Sequence, residues 1–263
     1  MKRRFYNIFA EDSKTFVLAM DHGVVMDVGE MIASPEHVIK ESVAGGIDAI
    51  LTSYGVATQF CKAIGNKGLI LRVDGGTTVL HPNGVIFDRL TQAFRVEDAI
   101  KIGADGIMCM GWLGVSSEEV TIRNLANYAS ECNKYGLVFG AEMIPGGFGD
   151  EDIATLENIA FSNRLGAEYG ADFIKSPFTG EATEFRDKVV NTCFKPIVVL
   201  GGGANRSDLE ILSMVHDAME AGCKGVVIGR SIWRHKRIRK LCRAISGIIH
   251  ENFSIEKGME ILA

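Results

Sequence analysis

Three observations predict a single (β/α)8 barrel over residues 1–263. A short pattern recurs four times: AGGIDAI from Ala44, IGADGIM from Ile102, YGADFIK from Tyr169 and AGCKGVV from Ala221. Each copy reads as a helix end, a glycine turn and an apolar strand. Glycine suits the left-handed residue that closes a helix, and an unbroken apolar run suits a strand covered on both faces. The copies begin 58, 67 and 52 residues apart, room for two β/α units each. Four more apolar runs lie between and around them, FVLAM (16–20), LILRV (69–73), LVFGAEM (137–143) and PIVVL (196–200), which makes eight strands. Helical spacing fills the gaps, clearest over 118–136 and 208–222. Strand and helix in alternation give a parallel sheet, and eight units in this length close into a barrel. The rival is an open doubly wound sheet, but its usual Gly-x-Gly-x-x-Gly after the first strand is absent. No linker or shift in composition marks a domain boundary.

In such a barrel, chemistry gathers where strands end and loops begin. In chain order the strands end on Asp21-His22-Gly23, Thr52-Ser53, Arg72 with Asp74-Gly75-Gly76, Met110-Gly111-Trp112, Glu142, Lys175, Gly201-Gly202-Gly203 and Gly229-Arg230. Most are polar, charged or glycine, after strands that are almost wholly apolar.

Composition narrows the partners. Hydrophobic residues make up 47% and charged residues 23%, with a net charge of −5, so no general attraction to nucleic acid or an anionic membrane is expected. No apolar run reaches the roughly 18 residues that span a bilayer. The basic N-terminus is followed by too short an apolar stretch for a signal peptide. Six scattered cysteines without a Cys-x-x-Cys spacing read as reduced packing residues of a cytoplasmic protein. No metal-ligand cluster and no cofactor motif is visible.

The seventh and eighth strand ends form a phosphate motif. VVLGGGANRSDLE (198–210) is a strand, three glycines and a helix start capped by Asn205 or Ser207. Gly201, Gly202 and Gly203 let backbone approach an anion closely. GVVIGRSIW (225–233) adds Gly229 and a guanidinium, Arg230, that can fork onto phosphate oxygens. Paired glycine turns after these two strands are the usual phosphate site of the fold.

Lys175 ends the sixth strand in ADFIKSPFTG and points at the same mouth. A lysine attacks a carbonyl only when neutral, against a reference pKa of about 10.4. Apolar burial and a cation nearby, Arg72 or Arg230, favour the neutral form, whereas Asp21 and Glu142 oppose it. The alternative is a lysine held in a buried salt bridge with Asp21 or Glu142, or one that reaches phosphate as a plain cation.

LAMDHG (18–23), ADFIKSPFTG, VVLGGG and GVVIGRSIW together resemble the landmarks of the archaeal-type class I fructose-bisphosphate aldolases. That family includes an aminodideoxyheptulosonate synthase and a thiolase acting on a phosphorylated autoinducer-2 derivative. The resemblance runs through nearly the whole chain. It implies the barrel, Lys175 as the Schiff-base lysine, Asp21 as the first-strand carboxylate, and Gly201, Gly202, Gly229 and Arg230 as phosphate ligands. It also implies a homo-oligomer, since relatives assemble into rings.

One landmark differs. Aldol-cleaving relatives resemble one another in a Tyr-Pro-Arg-Gly turn after the fifth strand, whose tyrosine moves the proton. Here the turn is Glu142-Met143-Ile144-Pro145-Gly146-Gly147. The autoinducer-2 thiolase relative also lacks that tyrosine. Acid–base work then falls to Glu142, whose pKa is expected to rise beside a hydrophobic wall, to Asp21, or to His22. Glu142 reads equally as a partner of Lys175 or Arg72. His22 reads equally as a substrate contact or as a packed, hydrogen-bonded histidine. Asp74 either binds substrate hydroxyls or caps its turn, and Arg72 is a further substrate contact. The basic run 234–243 carries Ile238, Leu241, Ile245 and Ile248 at helical spacing, so it is the outer face of a packed helix. Trp112 plugs the mouth or stacks on substrate.

Three functions remain open. The first is an imine-forming lyase on a phosphorylated ketose or related sugar phosphate. The second is thiolase-like acyl transfer from a phosphorylated diketone to coenzyme A on the same lysine. The third is a phosphate-ester-binding barrel without catalysis. The loops that select the substrate, 75–90 and 144–152, carry no transferable code.

Overall fold

The computed structural model describes residues 2–24, 28, 34–83, 90–148, 151–202 and 206–263. Ten strands form. Eight are β1 (Thr15–Met20), β2 (Ala49–Thr52), β3 (Gly68–Arg72), β6 (Gly106–Leu113), β7 (Val138–Pro145), β8 (Phe173–Ser176), β9 (Ile197–Leu200) and β10 (Gly225–Ile228). They pair in parallel, in the order β1-β10-β9-β8-β7-β6-β3-β2, and close on themselves. The predicted (β/α)8 barrel is therefore what the chain builds. The other two strands, β4 (Asp74–Gly76) and β5 (Leu90–Gln92), pair antiparallel as a small ribbon after β3. Nothing in the sequence announced that ribbon, because three residues around two glycines carry no apolar period.

The helices in chain order begin with α1 (Phe5–Ile8), α2 (Pro35–Gly45), α3 (Tyr54–Gln59) and α4 (Cys61–Ile64). The middle of the chain adds α5 (Val96–Lys101), α6 (Glu118–Tyr135), α7 (Leu156–Glu168) and α8 (Ala182–Phe185). The last four are α9 (Asp208–Glu220), α10 (Arg230–Trp233), α11 (Ile238–Glu251) and α12 (Ile255–Leu262). The recurring turn glycines Gly46, Gly103, Gly170 and Gly222 all take positive φ, the conformation for which the sequence selected glycine. Ser207 caps α9, accepting from the Glu210 N–H while Glu210 accepts from the Ser207 N–H at 2.7 Å. In α11, Ile238, Leu241, Ile245 and Ile248 are buried and the intervening basic residues mostly face outward, as the spacing predicts.

Apolar packing falls into three zones. The largest lies between the barrel wall and its helices. A second fills the barrel interior, where Val17, Ala49, Ile70, Met108, Val138, Phe173, Val198 and Val227 meet from eight strands. The N-terminal segment closes this interior from below. Phe5 and Phe9 stack with centroids 4.2 Å apart, and Phe9 meets Phe173 edge-on at 5.5 Å. The third zone, Met110, Trp112 and Ile144, lies toward the opposite mouth with Phe148 and Leu200 against it. All six cysteines are free thiols, five of them buried. Among the described residues no helix is long and apolar enough to cross a membrane.

Candidate active site

Five charged side chains converge in the barrel mouth: Asp21 after β1, Arg72 on β3, Asp74 on β4, Glu142 on β7 and Lys175 on β8, all buried. Strand register explains the central pair. Glu142 is paired with Lys175 on one side and with Met110 on the other. Register partners in a parallel sheet face the same way, so both side chains enter the barrel together. Lys175 Nζ lies 2.6 Å from Glu142 Oε1.

Arg72 is the hub. Its Nε donates to Asp21 Oδ2 at 2.7 Å, its Nη1 to Asp74 Oδ1 at 3.2 Å, and its Nη2 to Glu142 Oε2. It has no exposed surface. Arg72 is therefore a brace between three carboxylates, and it also lines the smaller cleft. Asp74 is committed as well: its second oxygen accepts from the Met110 N–H, tying β4 to β6. Both of its oxygens thus accept hydrogen bonds, from Arg72 and from the Met110 N–H, rather than capping its own turn. Buried ions are tolerated only when geometry and hydrogen bonds answer the loss of water, and here every carboxylate has such a partner.

The charges set one another. Burial acts to raise Asp21, but the Arg72 and then the Lys175 charges outweigh it and hold its carboxyl down at about 2. Burial also acts to raise Glu142, and Lys175 and Arg72 together bring it below the usual carboxylate range. This corrects the expectation of a raised Glu142, because the neighbour that matters is a pair of cations and not an apolar wall. Burial raises Asp74 against the pull of Arg72. His22 is pushed down to about 4 by burial, with Lys175 and Arg230 adding to it and Asp21 opposing, so the ring is neutral at neutral pH. Its Nδ1 is buried without a hydrogen-bond partner, 3.6 Å from Asp21 Oδ1. The ring packs edge-on to Trp233 at 4.8 Å. It is thus packed but not hydrogen-bonded at Nδ1, which leaves one ring nitrogen available.

Two clefts open here. The larger, about 460 Å3 with the solvent at its mouth, is lined by His22, Glu142, Lys175, Gly201, Gly202, Gly229, Arg230 and Ser231 among others. A side chain at position 229 would lie 2.6 Å from Ala19 O and 2.8 Å from His22 Cε1, so only glycine fits. The Gly201 N–H donates to Val227 O, so this residue supplies space to the cleft and not a donor. Gly202 takes φ +66°, and a Cβ there would lie 2.6 Å from Arg206 Nη2. Arg206 is a second cation at this turn, overlooked in the sequence although it stands in the same GGGANR motif. Arg230 is half-buried, and among the described residues no carboxylate pairs with it. Burial, with Arg234 beside it, lowers its guanidinium from the ordinary value. An unanswered, partly buried cation beside glycine turns suits an anion. Gly203 and Asn205 lie outside the described residues.

The smaller cleft, about 260 Å3, is lined by Asp21, His22, Arg72, Met110, Glu142, Phe148 and Lys175. Ile144, in the place of the absent tyrosine, is buried against Met110 and Trp112. Trp112 plugs the mouth and meets Phe148 edge-on at 5.6 Å. Among the described residues no three His, Cys, Asp or Glu side chains are placed to hold a metal ion.

Comparison with known proteins identifies the family. The sequence profile of the DeoC/LacD family aldolases matches residues 15–235. The chain is 32% identical to the 2-amino-3,7-dideoxy-D-threo-hept-6-ulosonate synthase of Halobacterium salinarum, over 96% of this chain and 93% of the relative. It is 26% identical to the class 1 fructose-bisphosphate aldolase of Thermoproteus tenax over 99% of both. A solved archaeal fructose-1,6-bisphosphate aldolase, with its catalytic lysine covalently bound to the carbinolamine intermediate, superposes with a TM-score of 0.84 at 25% identity. That match covers 94% of this chain and 98% of the other.

Proposed function

The chain belongs to the DeoC/LacD family of aldolases, and from that premise we propose that it is a Schiff-base-forming aldolase acting on a phosphorylated ketose or related sugar phosphate. One observation carries the reading: Lys175, buried and 2.6 Å from a carboxylate oxygen of Glu142, stands in a cleft that also holds Arg230, which pairs with no carboxylate among the described residues. The covalent lysine adduct of the archaeal relative supports it.

In this mechanism the glycine turns and Arg230 anchor the phosphate and fix the substrate carbonyl over Lys175. Glu142 takes a proton from the Lys175 ammonium. The Lys175 charge is what most lowers the Glu142 pKa, so the ion pair is the resting state and the transfer is completed only as the amine adds to the carbonyl. The amine adds to the carbonyl, giving a carbinolamine. Glu142 returns the proton to its hydroxyl, water leaves, and a protonated imine remains. The carboxylate of Asp21 or the neutral ring of His22 removes the proton from the hydroxyl on the β-carbon, two carbons from the imine carbon. The bond between that carbon and the imine's α-carbon then breaks, its electrons flowing into the imine. An aldehyde departs, the enamine is protonated on carbon, and water releases the ketone and the lysine.

Ile144 favours a second reading. Its side chain carries no proton, and acyl transfer to coenzyme A on the same lysine needs none from that position. Incubation with phosphorylated ketoses and diketones, with and without coenzyme A, followed by mass spectrometry of the products, separates the two. A free aldehyde formed without coenzyme A supports the lyase. An acyl-coenzyme A product formed only in its presence overturns the lyase in favour of the transferase. A raised melting temperature with no product at all leaves a phosphate-ester-binding barrel.

A further inference from the structure

The two clefts meet at His22, Glu142, Phe148 and Lys175, yet they differ in charge. The larger holds Arg230, a cation no described carboxylate answers. The smaller holds the carboxylates of Asp21 and Glu142, and its one cation apart from Lys175 is Arg72, whose three nitrogens are all taken. Its remaining wall is His22, Met110 and Phe148, with Ile144 and Trp112, whose indole Nε1 is buried without a partner, packed behind. No Ser, Thr, Asn or Gln lines it among the described residues.

Resting on the reading of Lys175 as the imine-forming residue, we propose that the smaller cleft receives the non-phosphorylated fragment of the substrate, a small, uncharged carbonyl compound of alkyl character. With the phosphate on the glycine turns and the carbonyl carbon over Lys175, the rest of the substrate extends past the lysine into this cleft. A second phosphate there meets two carboxylates and, among the described residues, no cation without a carboxylate partner, which is like-charge rejection. Asp21 Oδ1 is not taken by Arg72 and accepts from one hydroxyl, the one that loses its proton when the carbon–carbon bond breaks. Once Asp21, His22 and the ion-paired groups are engaged, further hydroxyls face Met110 and Phe148, and a buried hydroxyl without a partner is penalised. The cleft's volume, about 260 Å3 including open solvent, suits a fragment of a few heavy atoms. A bisphosphate or a polyhydroxylated chain is therefore a poor substrate.

The test runs in the condensation direction. Dihydroxyacetone phosphate and hydroxyacetone phosphate are first each incubated with the protein and borohydride to establish which one is trapped on Lys175. The trapped ketone is then paired with ethanal, propanal, glycolaldehyde, glyceraldehyde and glyceraldehyde 3-phosphate, and kcat/KM is measured for each. Propanal is expected to exceed glyceraldehyde by about 10-fold and glyceraldehyde 3-phosphate by about 100-fold. Met110→Gln, which places an amide on the apolar wall, is expected to narrow the gap between propanal and glyceraldehyde. A ketone trapped on Lys175 together with a preference for glyceraldehyde or its phosphate overturns this proposal and leaves the imine mechanism standing. No trapped ketone overturns both. The wild-type ranking decides even if Met110→Gln fails to fold.

Discussion

The two ends of the barrel are built on opposite principles. At the end where strands begin, Phe5, Ile8 and Phe9 seal an interior of aliphatic and aromatic side chains. Each of those contacts is apolar and can be lost without leaving a charge buried and unanswered. At the end where strands finish, Asp21, Arg72, Asp74, Glu142 and Lys175 share one buried space, and none is tolerable there without the others. The lower end tolerates piecemeal loss, whereas the upper end is stable only as a set. That set also keeps a lysine, two ionised carboxylates and a neutral imidazole within reach of one cleft. Stability and reactivity are thus assigned to opposite ends of the same eight strands, as the fold allows.

Substitutions at the two ends should separate these roles. The largest effect is expected from Lys175→Ala, which should lower turnover by about 10³-fold or more while phosphate esters still raise the melting temperature. Retained turnover would take the chemistry away from this strand. Arg72→Met should follow. It leaves three carboxylates facing one lysine, and loss of about 3–5 kcal/mol is expected in denaturant titration. Adding Asp21→Asn and Glu142→Gln to that variant should restore part of the loss. No recovery would mean that shape and not charge holds the mouth together.

At the lower end, Phe9→Ala should cost about 3 kcal/mol from the cavity beneath the barrel. Its kcat/KM at 25 °C should stay within about twofold of the parent, since Phe9 itself lines neither cleft. A large rate loss would show that the ends are coupled.

Titration sharpens the same contrast. Asp21 is ionised above about 2 and His22 neutral above about 4, so neither changes charge between pH 5 and 8. The acid limb of kcat/KM should therefore fall below pH 5, and a limb near 6.5 would contradict a buried, neutral His22. Far from the mouth the sign reverses. Burial acts to lower His250, but its hydrogen bonds to Asp48 and Asp12, at 3.0 and 2.9 Å, raise it. A folded-state pKa above the unfolded one gives stability that is full below about 6.5 and lost as pH rises through the folded value. His250→Asn should thus lower the melting temperature by about 2–4 °C at pH 6 and less at pH 9. An effect that grew with pH would mean that the ring is bound neutral.

Much of this was legible in the sequence. The eight strands stood out because both of their faces are buried, and the residues closing them marked the mouth. What stayed hidden was pairing. Arg72 finds Asp21 and Glu142 at separations of 51 and 70 residues, and strand ends alone do not say which charges touch. The direction of the Glu142 shift was misjudged for that reason. The N-terminal plug was missed because Phe5, Ile8 and Phe9 are too few to show a period, and their role appears only against Phe173. Arg206 was overlooked because the glycines before it drew the reading, although its own chain position beside them was the available signal.

The central claim, that the strand-end lysine forms an imine with a phosphorylated carbonyl compound, is tested most directly by borohydride trapping. The protein is incubated with ketose phosphates, dihydroxyacetone phosphate and phosphorylated diketones, reduced, and read by intact and peptide mass spectrometry. A ligand-specific reduced adduct on the peptide carrying Lys175, absent in Lys175→Ala, is the predicted result. Ligands that raise the melting temperature but leave every lysine unmodified would contradict it.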